Sequence, residues 1–401
     1  MTSGVDPPDT GPPRRRPCDG ARVSASTGTD PFAPPAELAA HPAVVAASGI
    51  AGTVLAPRAA AADDPARGVS RESCEAVARA GLLSVAVPVD EGGLGGDARV
   101  DAETVELLAG ACGATWFVGT QHRTPQQLAR GGPAELPERT VRTGPAAALH
   151  RADLGSGARR SGIAIAHLRR PGPPAVTAEP DGTGWRLRGR SDWCTGWGLT
   201  DLLMIGAVAP GDRYLFVLVP ARETPGLRAG APLPLSVMGG TRTVAVEFDD
   251  LAVGGDAVLT EIDGAPYREL DAARTANATP ASIGLLRRVL AELDRLGRER
   301  DRPEAVDLAA ALAPEAARRR AEVYALLTGV PLRERTAERT ALRGELAALT
   351  VRAAQGLVAA RAGSALLASS PEQRWAREAM FYLVQAQTAP VRAAQLGALA
   401  G

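Results

Sequence analysis

Three regimes of hydrophobic patterning divide this chain. Residues 36–62, 70–80 and 98–112 repeat apolar positions every three or four residues, the period of helices with one buried face. From 182 to 259 the period shortens to two. Trp185, Leu187 and Gly189 alternate, 202–208 and 214–219 are short continuous apolar runs, and Val244, Val246 and Phe248 alternate again. Each run has strand length and is bounded by Gly, Pro or Asp, so a compact antiparallel β module is expected. Residues 160–167 and 175–178 read as its first strands, on either side of a Pro/Gly-rich LRRPGPP loop. Beyond 263 the helical period returns in 279–297, 305–327, 334–368 and 374–387, with Arg and Glu between the apolar positions. An α+β chain follows: a disordered Pro-rich tail (1–35), an N-terminal helical domain (36–143), a middle antiparallel β-barrel or sandwich domain (144–262) and a C-terminal helical bundle (263–401). Within the first domain, 85–89 reads as a short extended piece leading into the glycine turn at 92–96.

Charge and composition narrow the chemistry. The 45 basic and 45 acidic residues cancel, which argues against nucleic acid or an anionic membrane as partner. All the basic residues are arginine, so a lysine Schiff base, a pyridoxal site and a P-loop lysine are excluded. Cys18, Cys74, Cys112 and Cys194 are widely spaced with no C-x-x-C pair, which disfavours a metal site or a disulfide framework and fits a reducing cytoplasm. The apolar stretch 42–62 is interrupted by Gly49, Gly52, Pro57 and Arg58 and reads as a poor membrane span. The N-terminus lacks the apolar core of a signal peptide.

The succession G-W-x-L-x-G-x-x-x-W-x-T-G at Gly184–Gly196, then P-G-L at Pro225–Leu227, then MGGTRTVAVEFDDLAV from Met238 resembles the middle domain of the acyl-CoA dehydrogenase family. GLLSVAVPVDEGGLG from Gly81 resembles that family's glycine turn, and RWAREAMFYLVQAQT from Arg374 its last flavin-proximal helix and loop. The resemblance covers roughly residues 40–400. It implies FAD as cofactor, a small-molecule substrate such as an acyl thioester, and assembly through the bundle as a homodimer or homotetramer, or as a hetero-oligomer with a paralogue.

Site residues follow from the same resemblance. Trp193 and Thr195 match the tryptophan that covers the flavin and the threonine that hydrogen-bonds near its N5. Three of the five tryptophans fall at 185, 193 and 197; Trp185 and Trp197 read as structural. Ala166 and His167 stand where the family's T-E-x-x-x-G-S-D segment contacts the flavin, and Thr388 matches the threonine of its F-E-G-T loop. Gln121, His122 and Thr124 lie on the helix that lines the acyl end of the family's cavity, although a lone histidine more often only packs. The sequence also departs from the family. Ala386 occupies the position of the catalytic glutamate, so the catalytic base is unassigned; Glu269, Glu322 and Glu345 are the bundle alternatives. The R-x-x-F-G and G-G-x-G contacts to the flavin's ADP half are poorly matched. Three functions fit: an acyl-CoA dehydrogenase-like oxidoreductase, a flavin-dependent monooxygenase on the same fold, and a non-catalytic partner subunit.

Overall fold

The computed structural model describes residues 31–400. The expected disorder of the tail falls largely on residues outside that range. Eight helices precede or flank the first strands: α1 Ala36–Ala39, α2 Pro42–Ile50, α3 Ala56–Asp63, α4 Arg71–Arg79, α5 Ala98–Ala111, α6 Gly113–Thr120, α7 Arg123–Ala129 and α8 Pro145–Ser156. Ser70 caps α4 by accepting from the Ser73 N–H, and Asp97 caps α5 through the Arg99 and Val100 N–H groups. Between α2 and α3 the chain stays helical through a π turn, Ala51–Leu55. Pro57 follows at the second position of α3. A proline there lacks an N–H and crowds the carbonyl four residues back, and a widened turn accommodates both. By length and composition, Pro42–Asp63 would suffice to cross a membrane. Its inner face, with Val44, Ala47, Leu55 and Ala59, is buried in the protein.

Residues 85–89 do not form a strand. Val85 and Val87 are buried, but Pro88 has no N–H to give a ladder, and the segment closes on itself through the glycine turn.

The middle domain holds nine strands: β1 Val141–Thr143, β2 Ser161–Ala164, β3 Val176–Asp181, β4 Gly184–Cys194, β5 Leu202–Ala209, β6 Arg213–Pro220, β7 Leu227–Pro232, β8 Val244–Val253 and β9 Val258–Asp263. Their order is β1-β9-β6-β5-β3-β4-β8-β7, with β2 added beside β5. Most pairs are antiparallel, as expected, but β2 and β3 each pair with β5 in parallel. Neither joins β5 by a hairpin, so the tight-turn constraint that enforces antiparallel pairing is absent. The strongly apolar β5 explains itself: Leu203, Ile205 and Ala207 face one core, while Leu202 and Met204 face a second core shared with α7, α8 and the first bundle helix.

The bundle comprises α9 Gly264–Ala276, α10 Pro280–Glu299, α11 Pro303–Gly329, α12 Thr336–Arg361, α13 Pro371–Val384 and α14 Ala389–Ala400. It docks on the first domain where α10 crosses α5. A Cβ on Gly284 would collide with the Glu106 carbonyl, so only glycine permits that approach. Beside the crossing, Glu103 and Glu106 of α5 are fully buried against Arg320 and Tyr324 of α11. Arg320 Nε bonds Glu106 at 2.9 and 3.0 Å, and the Tyr324 hydroxyl donates to Glu106 at 2.8 Å. A second clamp joins all three domains. Arg377 of α13 bonds Asp63 of α3 at 2.6 Å and the Ser236 carbonyl at 2.9 Å, while Asp63 accepts from the Met238 N–H at 3.0 Å.

Candidate functional site

A cleft of ≈ 460 Å³ opens between the middle domain and the bundle. One wall is the 3₁₀ turn Ala166–Arg169 and the loop running on to Ala175; the floor is Val208 of β5 and Tyr214 of β6; the far wall is α9 and Thr388. Its size falls within the range of small-molecule sites, roughly 300–1,000 Å³. Thr388 stands just before α14, where its carbonyl accepts from the Arg392 N–H at 2.9 Å. The preceding turn, Gln385–Thr388, is pinned from behind. Arg343 of α12 donates to the carbonyls of Gln385 and of Thr275, one turn beyond the α9 residues that wall the cleft. Gln387 bonds the Leu383 carbonyl at 2.8 Å and Gln395 at 3.1 Å. At the tip, Ala386 adopts a left-handed φ of 45°.

The charged groups around the cleft are matched pairwise. Arg169 grips Asp271 with two bonds of 2.7 Å, and Arg268 grips Asp212 at 2.7 and 2.8 Å. Arg170 reaches Asp192 at 2.5 Å, which Arg190 also holds at 2.7 Å. Hydrogen bonds from these arginines hold the Asp192 and Asp212 carboxyls below their ordinary range, so both stay ionised. Arg343 is different. It is buried with only carbonyl partners, and burial pushes its guanidinium down to about 10.

His167 is the exception among the polar groups of the wall. Its ring is 4% exposed, and Nε2 lies 2.8 Å from the Gly206 carbonyl. Only a protonated Nε2 can donate to that oxygen, so Nδ1 carries the lone pair. Among the described residues Nδ1 has no partner. Burial moves the ring's pKa below its ordinary value, and the imidazole is neutral at physiological pH.

The remaining expected cofactor residues sit around this cleft rather than inside it. Ala166 begins the 3₁₀ turn that carries His167. Trp193, 48% exposed, follows Asp192, which is tied to the cleft wall through Arg170. A bulge between Ser191 and Cys194 breaks the alternation of β4 and turns the tryptophan outward. Thr195 is buried, and its hydroxyl pairs with that of Thr243 at 3.1 Å, which in turn meets Thr241 at 2.8 Å.

Gln121, His122 and Thr124 lie elsewhere, on the far side of the N-terminal domain's helices. Gln121 bonds back to the Phe117 carbonyl at 2.8 Å. His122 borders a space of only ≈ 20 Å³ and uses both ring nitrogens. Nε2 donates to the Leu154 carbonyl at 2.9 Å, and Nδ1 accepts from the Ser161 N–H at 3.2 Å. The alternative acids are also engaged at a distance from the cleft: Glu269 with Arg333, and Glu322 and Glu345 with Arg319. Sequence patterning did not single out Glu378. This acid is buried where α13 meets the start of α6, 3.6 Å from Arg374, and burial pushes it up to about 7.

The acyl-CoA dehydrogenase N-terminal domain model matches residues 44–143. Comparison with curated proteins found no match. Among solved structures, butyryl-CoA dehydrogenase from Megasphaera elsdenii is similar over 90% of this chain and 97% of its own, at 15% identity and a TM-score of 0.69. Nitrososynthase from Micromonospora carbonacea var. africana is similar over 93% and 99%, at 20% identity and a TM-score of 0.72. Dibenzothiophene monooxygenase from Paenibacillus sp. A11-2 is similar over 89% and 96%, at 18% identity and a TM-score of 0.69. Matched in its first domain by the family's own model and along nearly its whole length by these structures, the chain is a diverged member of the acyl-CoA dehydrogenase fold.

Proposed function

We propose that this protein is a flavin-dependent oxidoreductase whose substrate is a small molecule held in the cleft between β domain and bundle. The residues there suit the ring end of a flavin: aromatic Tyr214 and Tyr267, the Thr388 hydroxyl, and an unpartnered His167 nitrogen. A flavin in this cleft would supply hydride or single-electron transfer. The chain's own part is to position, to shield and to manage protons. Thr388 offers a hydroxyl donor on a turn held rigid by Arg343, and the tyrosines exclude water from that wall. The arginines are already paired with Asp271, Asp192 and Asp212, which leaves little for the ADP half of FAD. FAD is the form implied by the family; FMN, found in one structure of the Paenibacillus monooxygenase, needs no ADP contacts.

One observation selects among the chemistries on this fold. No uncommitted carboxylate lines the cleft: Ala386 carries a methyl group at the expected position, and Asp212 and Asp271 are each doubly bound by arginine. Removing an α-proton from an acyl thioester requires such a base. The reading supported best is therefore oxidation of a small molecule by reduced flavin and oxygen, rather than thioester dehydrogenation. The exposed apolar side chains Met380, Val384, Leu396 and Leu399 on α13 and α14 support oligomerisation through the bundle. The free buried thiols of Cys74, Cys112 and Cys194 support a reducing compartment. The test is an anaerobic titration of the flavin-loaded protein with acyl-CoA thioesters, then reduction by an external reductase and exposure to oxygen. Bleaching by oxygen-free thioester would refute the oxygen-dependent reading; bleaching only by the reductase, with reoxidation in air, is expected.

A further inference from the structure

We propose that His167 is the proton acceptor for the substrate in this cleft, and that the substrate accordingly presents an O–H or N–H group at its reacting end, as a phenol, amine or hydroxylamine does. The inference rests on the cleft being the ligand site argued above. Three observations carry it. The Gly206 carbonyl fixes the tautomer, so the lone pair resides on Nδ1. That nitrogen is buried without a partner, an arrangement that ordinarily costs about 1–3 kcal/mol and that a ligand donor would relieve. Every other ionisable acceptor lining the cleft is already held by arginine.

In the step, the substrate O–H or N–H bond breaks, its electron pair stays on the oxygen or nitrogen, and the proton forms the Nδ1–H bond. The resulting imidazolium keeps its Nε2–H bond to Gly206, with Arg170 and Asp192 as the nearest charges, of opposite sign and paired to each other. The proton then passes to water. A C–H acid such as a thioester α-carbon offers no comparable hydrogen bond to a neutral imidazole.

The test compares phenol with anisole, which differ by one donor, in calorimetric binding to the full-length protein with and without flavin. Wild type is expected to bind phenol roughly tenfold more tightly, the worth of one relieved buried acceptor. His167→Gln retains an amide nitrogen able to donate to Gly206 but has nothing at the Nδ1 position. It should fold like wild type and bind both compounds equally. His167→Asn, which places its amide at the Nδ1 position, should recover part of the preference. Equal binding by wild type, no binding of either compound, or a preference that persists in His167→Gln would overturn the assignment. Loss of the flavin reading shows separately: a phenol preference in protein that binds no flavin leaves His167 as an acceptor and removes only the redox cofactor.

Discussion

His122 and His167 are both buried, and both rest Nε2 on a backbone carbonyl. They differ at the other nitrogen. His122 accepts from the Ser161 N–H and borders ≈ 20 Å³ of space; His167 accepts from nothing and borders ≈ 460 Å³. A saturated buried histidine is a structural strut that ties α8 and β2 to the N-terminal helices. An unsaturated one beside open volume retains a capacity that only a ligand can use. The same contrast extends to the charges. The Glu103–Glu106–Arg320–Tyr324 network is closed, whereas Arg343 and Glu378 are buried without a close partner of opposite charge.

The largest effect should come from opening the closed network. Arg320→Leu leaves two buried carboxylates without their arginine and should destabilise by about 3–5 kcal/mol in urea unfolding. A loss under 1 kcal/mol would mean that the network contributes little. Next, His122→Leu strands the Leu154 carbonyl and the Ser161 N–H and should cost about 2–4 kcal/mol.

The pH dependence of His122 sharpens this point. Burial pushes the ring down to about 4 from an ordinary 6.5, so the unfolded chain binds the extra proton between those values. Its contribution is complete above pH 6.5 and is lost as pH falls towards 4, on the order of 3 kcal/mol in all. Unfolding measured across that window should show the slope in wild type and its removal in His122→Leu. Glu378 slopes the other way. Raised from 4.5 to about 7, it favours the folded state when protonated, and its penalty grows as pH rises from about 4.5 to 7. Glu378→Gln should therefore be near neutral at pH 5 and stabilise by about 1–3 kcal/mol at pH 8. Equal effects at both pH values would place the acid's pKa elsewhere. The smallest effect belongs to His167→Gln. With the Gly206 bond retained, its stability should stay within about 1 kcal/mol of wild type, and a larger loss would make His167 a strut like His122.

Local information made most of the architecture readable. The change of hydrophobic period from helix to strand and back places the three domains, and Gly and Pro punctuation places many of the ends. What stayed hidden depends on distant partners. The parallel pairing of β2 and β3 with β5 is set by where excursions return, which alternation within a strand does not report. In sequence His122 and His167 look alike, each a single histidine near the end of an element. Their difference rests on Leu154, Ser161 and Gly206, all more than thirty residues away. Likewise Glu103 and Glu106 read as a solvated helix face until Arg320 of α11 is brought against them. Thr388 and His167 were marked by family resemblance, and the fold places them on one cleft; Gln121, His122 and Thr124 were marked the same way, and it does not bring them there.

Flavin binding tests the central claim most directly. Purified protein would be titrated with FMN and with FAD, following flavin fluorescence and absorbance, beside Ala272→Trp, which fills the cleft from the exposed wall of α9. The expected result is saturable binding of at least one flavin to wild type, in a one-to-one ratio, and its loss in Ala272→Trp. Binding of neither flavin, or undiminished binding by the filled variant, would contradict a flavin site in this cleft.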